Sequence, residues 1–393
     1  MLRQVIAVAS LNIRSSLRRW RTSLVIVVGL AGVVAVFTAL LAMATGFETT
    51  LEATGRTDRV LILSGGSAIE VNSGLDRNST EVLEQEPGIQ VGADGKPLAS
   101  AELVVVAELA RRQDSRNGAN ITVRGVEPSG FVLRPQLRII AGRNFKSGLR
   151  ELIVGRGIVR QFKGAELGDV LRMRGSDWTV VGIFESGDAH ESELWTDAGV
   201  ARSAFGRAGS SSSVLAALDG TTGLDKLKGA IGADPRLSVD VVREQDYFSS
   251  RTKRFRRNLG FLVEVVTVIM ALGAIFAALN SMYTVVASRS KEIATLRAIG
   301  FGTLSVVASV MLEALLLALV GGIVGVLIAY VGFNNLSTST LDGNFTQVVF
   351  DFKVTPMLAV RGLVIAVVVG MIGGLLPAVR AARLPVTASL RES

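Results

Sequence analysis

Four long apolar runs constrain the fold of this 393-residue chain more than any other feature of its sequence. The first run contains no charged residue and each of the other three contains one; they are Leu24–Ala44, Leu259–Ala287, Leu304–Phe333 and Met357–Val379. Each exceeds the roughly 18–20 residues that a helix needs to cross about 30 Å of hydrocarbon. A buried core helix would explain a single run of this kind, but four such runs in one chain are better explained as membrane spans. We therefore predict four transmembrane helices, over residues 22–46, 257–287, 304–333 and 357–379.

The first run has an alternative interpretation as a cleaved signal peptide, because Ala42-Met43-Ala44 resembles an A-x-A cleavage site. The apolar region of a signal peptide is typically about 7–15 residues long. Leu24–Ala44 is longer than that, and a long basic segment precedes it. We favour an uncleaved span.

The distribution of Lys and Arg predicts the orientation, since the cytoplasmic flanks of spans carry an excess of both. Three segments are rich in them: residues 1–21, the 288–303 loop and the 380–393 tail. Their basic residues include Arg3, Arg14, Arg18, Arg19, Arg21, Arg289, Lys291, Arg297, Arg380, Arg383 and Arg391. The short loop 334–356 has only Lys353 against two Asp residues. Both termini and the 288–303 loop are therefore expected in the cytoplasm, and residues 47–256 and 334–356 outside it.

A basic cluster just before the second run departs from this rule; it comprises Arg251, Lys253, Arg254, Arg256 and Arg257. The rule weakens for long translocated domains, so the predicted orientation stands. One interpretation of the cluster is a solvated helix face at the membrane surface. The other is a site for anionic lipid or substrate.

Several kinds of chemistry lack their motifs in this sequence. There is no cysteine, and His190, expected in a loop, is the single histidine. The stretch 92-GADGKP-97 lacks the spacing and the hydroxyl residue of a phosphate-binding P-loop. The net charge of +8 has no nucleic-acid motif beside it. We expect no catalytic residue, cofactor or metal in this chain, and no nucleic-acid partner.

Residues 47–256 alternate strand-like and helix-like runs, which predicts an α+β domain of one or two lobes between the first two spans. The strand-like runs are 59–63, 102–109, 120–126, 151–155, 169–174, 178–184, 214–219 and 237–242. Helical signals at 46–56 and 243–258 abut the spans, and the Gly/Ser stretch 206–213 is expected to be a hinge or a flexible loop. The carboxylates of this domain show no paired pattern.

Residues 1–21 carry an apolar stripe at helical spacing opposite arginines, which predicts an interfacial helix on membrane lipid.

The stretch 288-SRSKEIATLRAIGF-301 predicts a short helix between the second and third spans. Ser290 suits the N-cap, and Glu292 lies in the first turn, where the helix dipole favours an acid. Gly300 suits the helix end. Ile293, Leu296 and Ile299 fall three apart and form one apolar face.

This stretch resembles the loop between the second and third spans of the MacB/FtsX/LolC-type ABC transporter permeases, the mechanotransmission or type VII group. The end, 376-LPAVRAARLPVTASLRE-392, is similar to the closing pattern of that family, with Ser389 as an extra small residue. The stretches 141-AGRNF-145, 151-ELIVG-155, 167-LGDVLRMRG-175 and 178-WTVVGIF-184 resemble its periplasmic core, and 311-MLEALLLALVGGIVG-325 its third span. The resemblance covers essentially the whole chain. It implies a four-helix membrane protein with a large α+β periplasmic domain between helices 1 and 2.

The resemblance also implies a mechanism in which residues 288–303 form a coupling helix that docks into an ATPase. The expected contact or shaping residues are Lys291, Glu292, Ile293, Thr295, Leu296, Arg297, Ile299 and Gly300. Two ATPase subunits would bind the ATP and Mg. Some family members carry a fused ATPase before the first span; because this sequence begins just before that span, we expect a separate polypeptide. The chain itself would be a non-catalytic permease of the bacterial inner membrane, dimeric with a second copy or a paralogue.

Three roles follow from the family, and the residues leave them open. A MacB-like pump would work with a periplasmic adaptor and an outer-membrane channel, and a LolC-like protein would release lipoproteins. An FtsX-like protein would instead regulate a periplasmic cell-wall hydrolase; the outer segment is larger than expected for that role. A membrane sensor without an ATPase would leave the coupling-helix motif unexplained.

Three ionisable residues fall inside the predicted spans, where charges are costly and suggest function. Glu313 lies about ten residues into the third span, so we expect it to face other helices, in a hydrogen bond or in proton coupling. Glu264 and Arg361 lie near the outer ends of their spans, where they can pair with each other or reach the headgroups. The GxxxG pairs Gly321/Gly325 and Gly370/Gly374 predict close helix packing, within one subunit or across a dimer.

Overall fold

The computed structural model describes residues 20–112, 118–341 and 346–383, without the side chains of 20–23, 254, 256 and 258. The predicted interfacial helix over 1–21, except its last two residues, and the closing pattern beyond Arg383 lie outside the described residues. The chain divides into two compact units. One contains residues 46–256 and 337–351, and the other contains 257–336, the described residues before 46 and those after 351.

Ten helices lie in the described parts of the chain. They are α1 (Trp20–Thr54), α2 (Arg77–Leu83), α3 (Pro128–Leu133), α4 (Arg156–Gln161), α5 (Ala198–Ala204), α6 (Gly223–Ala233), α7 (Glu244–Ser288), α8 (Ser290–Ala298), α9 (Thr303–Phe333) and α10 (Pro356–Arg383). Short 3₁₀ turns occupy Glu70–Asn72 and Ala189–Ser192.

The strands in the same parts are β1 (Arg59–Ser64), β2 (Leu75–Asp76), β3 (Ala99–Ala110), β4 (Gly118–Val126), β5 (Arg138–Gly142), β6 (Glu151–Gly155), β7 (Val170–Met173), β8 (Ser176–Glu185), β9 (Glu193–Asp197), β10 (Ser210–Ser211), β11 (Ser213–Ala217), β12 (Val239–Arg243), β13 (Ser337–Leu341) and β14 (Gln347–Asp351). Each of the eight predicted strand runs overlaps a strand, although the runs 169–174, 214–219 and 237–242 extend beyond β7, β11 and β12. The sequence did not predict β2, β5, β9, β10, β13 or β14.

Four helices are long and apolar enough to cross a membrane among the residues that the structure describes: α1, α7, α9 and α10. All four are longer than the predicted spans, and α1 and α7 exceed them by the most. Helix α1 continues to Thr54 and α7 already begins at Glu244, so the helical signals at 46–56 and 243–258 belong to the same helices as the spans.

The large unit is built on one mixed sheet, in which the order is β12-β1-β11-β3-β4-β9-β6-β8-β5, with β7 also paired to β8. The pairs β4–β9 and β6–β8 are parallel and the others are antiparallel. Three separate apolar clusters line the sheet within the described residues, and the smallest contains Phe184 and Trp195. Of the other two, one includes Trp178 and Phe162, and the other includes Ile62 and Leu227.

Two expectations for this unit are corrected. The stretch 206–213 is not a hinge, because Ser211, Ser212 and Ser213 are buried and β10 and β11 pass through it. The Ser212 hydroxyl accepts from the amide of Val104 at 2.9 Å, which ties this stretch to β3.

The loop between α9 and α10, expected to be only a short connection, forms the hairpin β13–β14 and belongs to the large unit. Val349 is part of the apolar cluster around Trp178. Its amide donates to the Ser192 hydroxyl at 2.8 Å, and the hydroxyls of Thr122 and Thr346 lie 2.9 Å apart. The last two long helices are thus joined by a segment that completes the core of the large unit.

Candidate functional site

The predicted short helix is present as α8, separated from α7 by the single residue Arg289. Arg289 occupies the N-cap position without a side-chain capping bond, so Ser290 is the first helical residue and not the cap. The reason is that α7 continues to Ser288 and leaves no room for an extended residue before Ser290. Gly300 has φ +98°, a left-handed conformation that favours glycine, and it ends the helix as the sequence suggests.

The side chains of α8 divide into an inner and an outer set. Ile293 is only 6% exposed and packs in the apolar cluster formed by the long helices, whereas Ile299 is 69% exposed. The single apolar face expected from Ile293, Leu296 and Ile299 is therefore split, because Ile293 is used within the chain. Lys291, Glu292, Thr295 and Gly300 are exposed, and Leu296 and Arg297 are half-buried. We call these exposed and half-buried residues the outer set of α8: Lys291, Glu292, Thr295, Leu296, Arg297, Ile299 and Gly300. They are accessible to a partner.

Glu313, expected to face other helices, is buried on α9 and forms an ion pair with Arg289. The Arg289 Nη1 donates to the Glu313 Oε2 at 3.0 Å, and its Nε donates to the Glu292 Oε2 at 3.0 Å. One guanidinium therefore joins the first turn of α8 to the third long helix. From the sequence, Arg289 contributes only to the predicted orientation and is not among the expected site residues, because it looks like an ordinary basic residue flanking a span.

Glu264 and Arg361 are both exposed on their helices, and they form no ion pair with each other within the described residues. The first alternative from the sequence, an ion pair between Glu264 and Arg361, is therefore not formed in the structure. The exposed positions agree with the other interpretation, in which each side chain extends toward the headgroups.

The four glycines named from GxxxG spacing lie where long helices approach each other closely. A Cβ at Gly325 would lie 2.6 Å from the Ala31 carbonyl oxygen, and one at Gly321 would lie 2.9 Å from the Leu30 Cβ, so both face α1. Gly370 and Gly374 on α10 face Ala318 and Ala314 of α9. These contacts are within one chain.

The large unit contains a buried charge network that sequence reasoning missed. The Arg124 guanidinium on β4 donates to three carboxylates, those of Glu70, Glu102 and Glu193, at 2.8–3.2 Å. Arg134, which directly follows α3, pairs with Glu102, and both of its contacts fall within 2.9 Å. These residues are far apart in sequence and come together only because β3, β4 and β9 are neighbours.

The network has a clear electrostatic consequence for its acids. Burial alone would raise the pKa of Glu70, but the charge and hydrogen bonds of Arg124 lower that pKa to about 2. Burial also acts to raise the pKa of Glu102, but the charges of Arg134 and Arg124 outweigh that effect, so the pKa of Glu102 is lowered as well. The resulting stabilisation is present above the ordinary carboxyl pKa of about 4 and is lost as pH falls through the folded-state pKa.

The first turns of α7 join the same unit by buried contacts. Glu244 pairs with Arg59 of β1 at 2.6 Å, with both side chains nearly inaccessible. The amide of Glu70 donates to the Tyr247 hydroxyl at 3.2 Å. The helix that becomes the second apolar span therefore begins anchored on the sheet.

His190 is not a simple loop residue. It is buried in a 3₁₀ turn, where its Nδ1 lies 3.1 Å from the Asp188 Oδ1 and its ring packs edge-on against Trp195. In residues 20–112, 118–341 and 346–383 there is no group of three His, Asp or Glu residues arranged to hold a metal ion.

A cleft of about 910 Å³ opens in the large unit between the segment 84–99, α3 and α5. Burial, followed by the charge of Glu127, raises the pKa of Glu84 at its edge to about 7. Arg202 on α5 opposes this shift and pairs with Glu127 at 3.2 Å. The cleft thus has a mixed polar and apolar lining and carries at its edge a carboxyl whose pKa is raised by burial.

Four apolar helices, with a large α/β unit inserted between the first and the second, define a multi-pass membrane protein. The family model for the MacB-like periplasmic core domain matches residues 22–233, and the model for the FtsX-like permease C-terminal matches residues 264–386. The chain belongs to the MacB/FtsX family of ABC transporter permeases.

Two relatives illustrate the range of similarity. The macrolide export ATP-binding/permease protein MacB of Hahella chejuensis is 26% identical over 242 residues, which are 58% of this chain and 35% of that protein. The ABC transporter permease YknZ of Bacillus subtilis is 23% identical over 290 residues, covering 69% of this chain and 70% of that one. The chain therefore spans about a third of the MacB relative.

Two solved structures are also similar to this chain. The periplasmic region of MacB from Actinobacillus actinomycetemcomitans has a TM-score of 0.36 at 14% identity, covering 50% of this chain and 93% of that one. The extracellular domain of the noncanonic ABC-type transporter YknZ from Gram-positive bacteria has a TM-score of 0.33 at 17% identity, covering 47% and 99%.

Proposed function

We propose that this chain is a permease that couples ATP hydrolysis by an ABC ATPase to a conformational change in its large unit. The change would drive export or extraction of a substrate on the far side of the membrane. The observation that carries the proposal is α8, a short helix whose outer set is exposed between two membrane-length helices. In this proposal the outer set docks on the ATPase, which binds the ATP and Mg.

We infer that Ile299 is the anchor of this surface, because its apolar side chain is 69% exposed in the chain and would become buried on docking. A few buried anchors carry most of the binding energy of an interface. Lys291 and Glu292, at the other end of α8, would orient the docked ATPase through their charges. This arrangement needs α8 in the cytoplasm, which agrees with the basic residues beside it. Both termini would then also be cytoplasmic, and the large unit would lie outside the inner membrane.

A dimer with two ATPases, a periplasmic adaptor and an outer-membrane channel would complete a MacB-like pump. The match of the large unit to the MacB-like core domain supports the transport role. Since several relatives are named for macrolide export, macrolides are the compounds to test first.

The test is purification of the tagged full chain from its native membranes in mild detergent, with mass spectrometry of the bound proteins. We expect a stoichiometric ABC ATPase with the unchanged chain. Ile299→Glu should reduce the bound ATPase by about tenfold, as loss of a central interface anchor does. The matched control is Val170→Glu, at an exposed apolar position of β7 in the large unit, which should retain the ATPase.

Two results would contradict the proposal: no ATPase with the unchanged chain across several detergents, or equal ATPase recovery with Ile299→Glu. The same experiment tests the orientation, because α8 meets a cytoplasmic ATPase only from the cytoplasmic side. A co-purifying cell-wall hydrolase in place of an adaptor would indicate a regulator instead of a pump.

A further inference from the structure

Arg289 occupies a restricted position between two helices. Its amide donates to the Val286 carbonyl at the end of α7, and its carbonyl accepts from the Ile293 amide of α8 at 2.9 Å. The side chain is 8% exposed although it follows directly on a membrane-length helix. A flanking arginine at such a position ordinarily extends toward water or headgroups, so its inward direction requires a partner.

That partner on α9 is Glu313, whose side chain is also 8% exposed. Two buried charges at 3.0 Å compensate each other, whereas either of them alone would carry a large desolvation cost. Glu264 is a useful contrast: it is also a glutamate within a long apolar helix, but it is exposed and lacks such an ion pair in the described parts of the chain. Its burial therefore distinguishes Glu313 from Glu264.

The contact between α8 and α9 also has an apolar part. Ile293 lies in one apolar cluster with Val306 and Val310 of α9. The gap lined by Arg289, Leu296 and Glu313 has a volume of about 20 Å³, room for one water molecule. An ion pair inside a packed contact fixes both the distance and the rotation of the two helices.

We propose that Arg289 is a positioning residue, whose ion pair with Glu313 clamps α8 to α9 so that the two helices move together. This inference rests on the proposed function of α8. A force that the ATPase applies to α8 would then enter α9 through the clamp as well as α7 through the chain. Arginine suits this role because its planar fork bonds Glu292 and Glu313 at once, which a lysine cannot reproduce.

The first measurement is the distance between spin labels on α8 and α9 in the full chain in lipid nanodiscs. The sequence contains no cysteine, so Ala298→Cys and Val320→Cys provide two specific, exposed label sites. We expect one narrow distance distribution in the otherwise unchanged chain. Arg289→Gln, Glu313→Gln and the double variant should each broaden it, and the matched control Glu264→Gln should not.

The second measurement separates positioning from mere stability, using the ATPase that co-purifies with the chain. Each single variant should bind the ATPase within about twofold of the unchanged chain, because neither replaces a residue of the outer set. Glu313→Gln also leaves both partners of the Arg289–Glu292 bond unchanged. Each should lower the stimulation of ATP hydrolysis by about fivefold or more. The double variant should lose no more than Arg289→Gln alone, since the contribution of Glu313 to the clamp is its bond with Arg289.

Narrow, unchanged distributions in both single variants would overturn the clamp, as would losses of stimulation that multiply in the double variant. If Glu313→Gln does not give a folded protein, Arg289→Lys decides by the same two measurements. The distance measurement needs no ATPase. A broadened distribution together with unaffected ATPase binding in Ile299→Glu would therefore retain the clamp and reject the proposed docking role of α8.

Discussion

At the scale of single residues, buried arginines connect acidic residues that lie far apart in the sequence. Arg124 donates from all three of its guanidinium nitrogens to acids of three different elements. Removal of one member of a buried ionic network leaves the others uncompensated, which costs more than the intact pair contributes. Arg143 gives the opposite case, because its pair with Glu151 lies at the surface, where water screens it.

We expect Arg124→Met to lower the free energy of unfolding of the large unit by about 3–5 kcal/mol, the range for a broken buried ion pair. Arg143→Met should cause a much smaller loss. The measurement is thermal unfolding of the full chain in detergent, followed by tryptophan fluorescence, since Trp195 donates to Glu193 of the network. Equal losses in the two variants would show that the network contributes no more than a surface pair.

Small residues determine the packing at the scale of the long helices. Gly374 and Ala314 face each other, as do Gly370 and Ala318, so α10 and α9 approach along a line of small side chains. Gly321 and Gly325 on α9 make the equivalent contact with α1. Such contacts allow dispersion attraction between backbones, which drives helix association where no hydrophobic effect operates.

Gly374→Ala should therefore destabilise the helix assembly, because its Cβ would lie 2.6 Å from the Cβ of Ala314. An overpacked contact of this kind costs about 1–3 kcal/mol. Gly332→Ala on α9 is the matched control, since no described atom lies within 4 Å of its added Cβ, and it should be neutral or slightly stabilising. The check is the midpoint of thermal aggregation in detergent; equal midpoints for the two variants would contradict the packing argument.

The assignment of the β13–β14 hairpin matters at the scale of the whole molecule. This segment connects α9 to α10, yet it belongs to the unit built from residues 46–256. The chain thus passes between the two units four times: within α1, within α7 and at both ends of the hairpin. The last two long helices are connected to the large unit by covalent structure and not only through α1 and α7.

Val349→Ala should destabilise the large unit by about 1–3 kcal/mol, because it removes buried methyl groups from the cluster around Trp178. Leu341→Ala, on an exposed position of the same hairpin, should change the stability by less than about 0.5 kcal/mol. Hydrogen exchange of the β4 amides, near Thr122, provides the measurement. Unchanged protection of β4 in Val349→Ala would show that the hairpin is not part of that core.

The sequence by itself determined the features that depend on local pattern. Length and apolarity defined the four long helices, alternation defined the eight predicted strands, and Gly300 marked the end of α8. The family followed from motifs that are contiguous in the chain. These features need only neighbours within one or two turns of helix or a few residues of strand.

Only the tertiary structure decided which charges are buried and what compensates them. Arg289 and Glu313 are 24 positions apart, and Glu70 and Glu193 flank Arg124 at separations of 54 and 69. A charged side chain looks the same in sequence whether it is solvated or paired, because its burial depends on which distant segments pack around it. For the same reason the sequence could not assign Ile293 to the interior, Ser213 to a buried strand or Val349 to the core of the large unit.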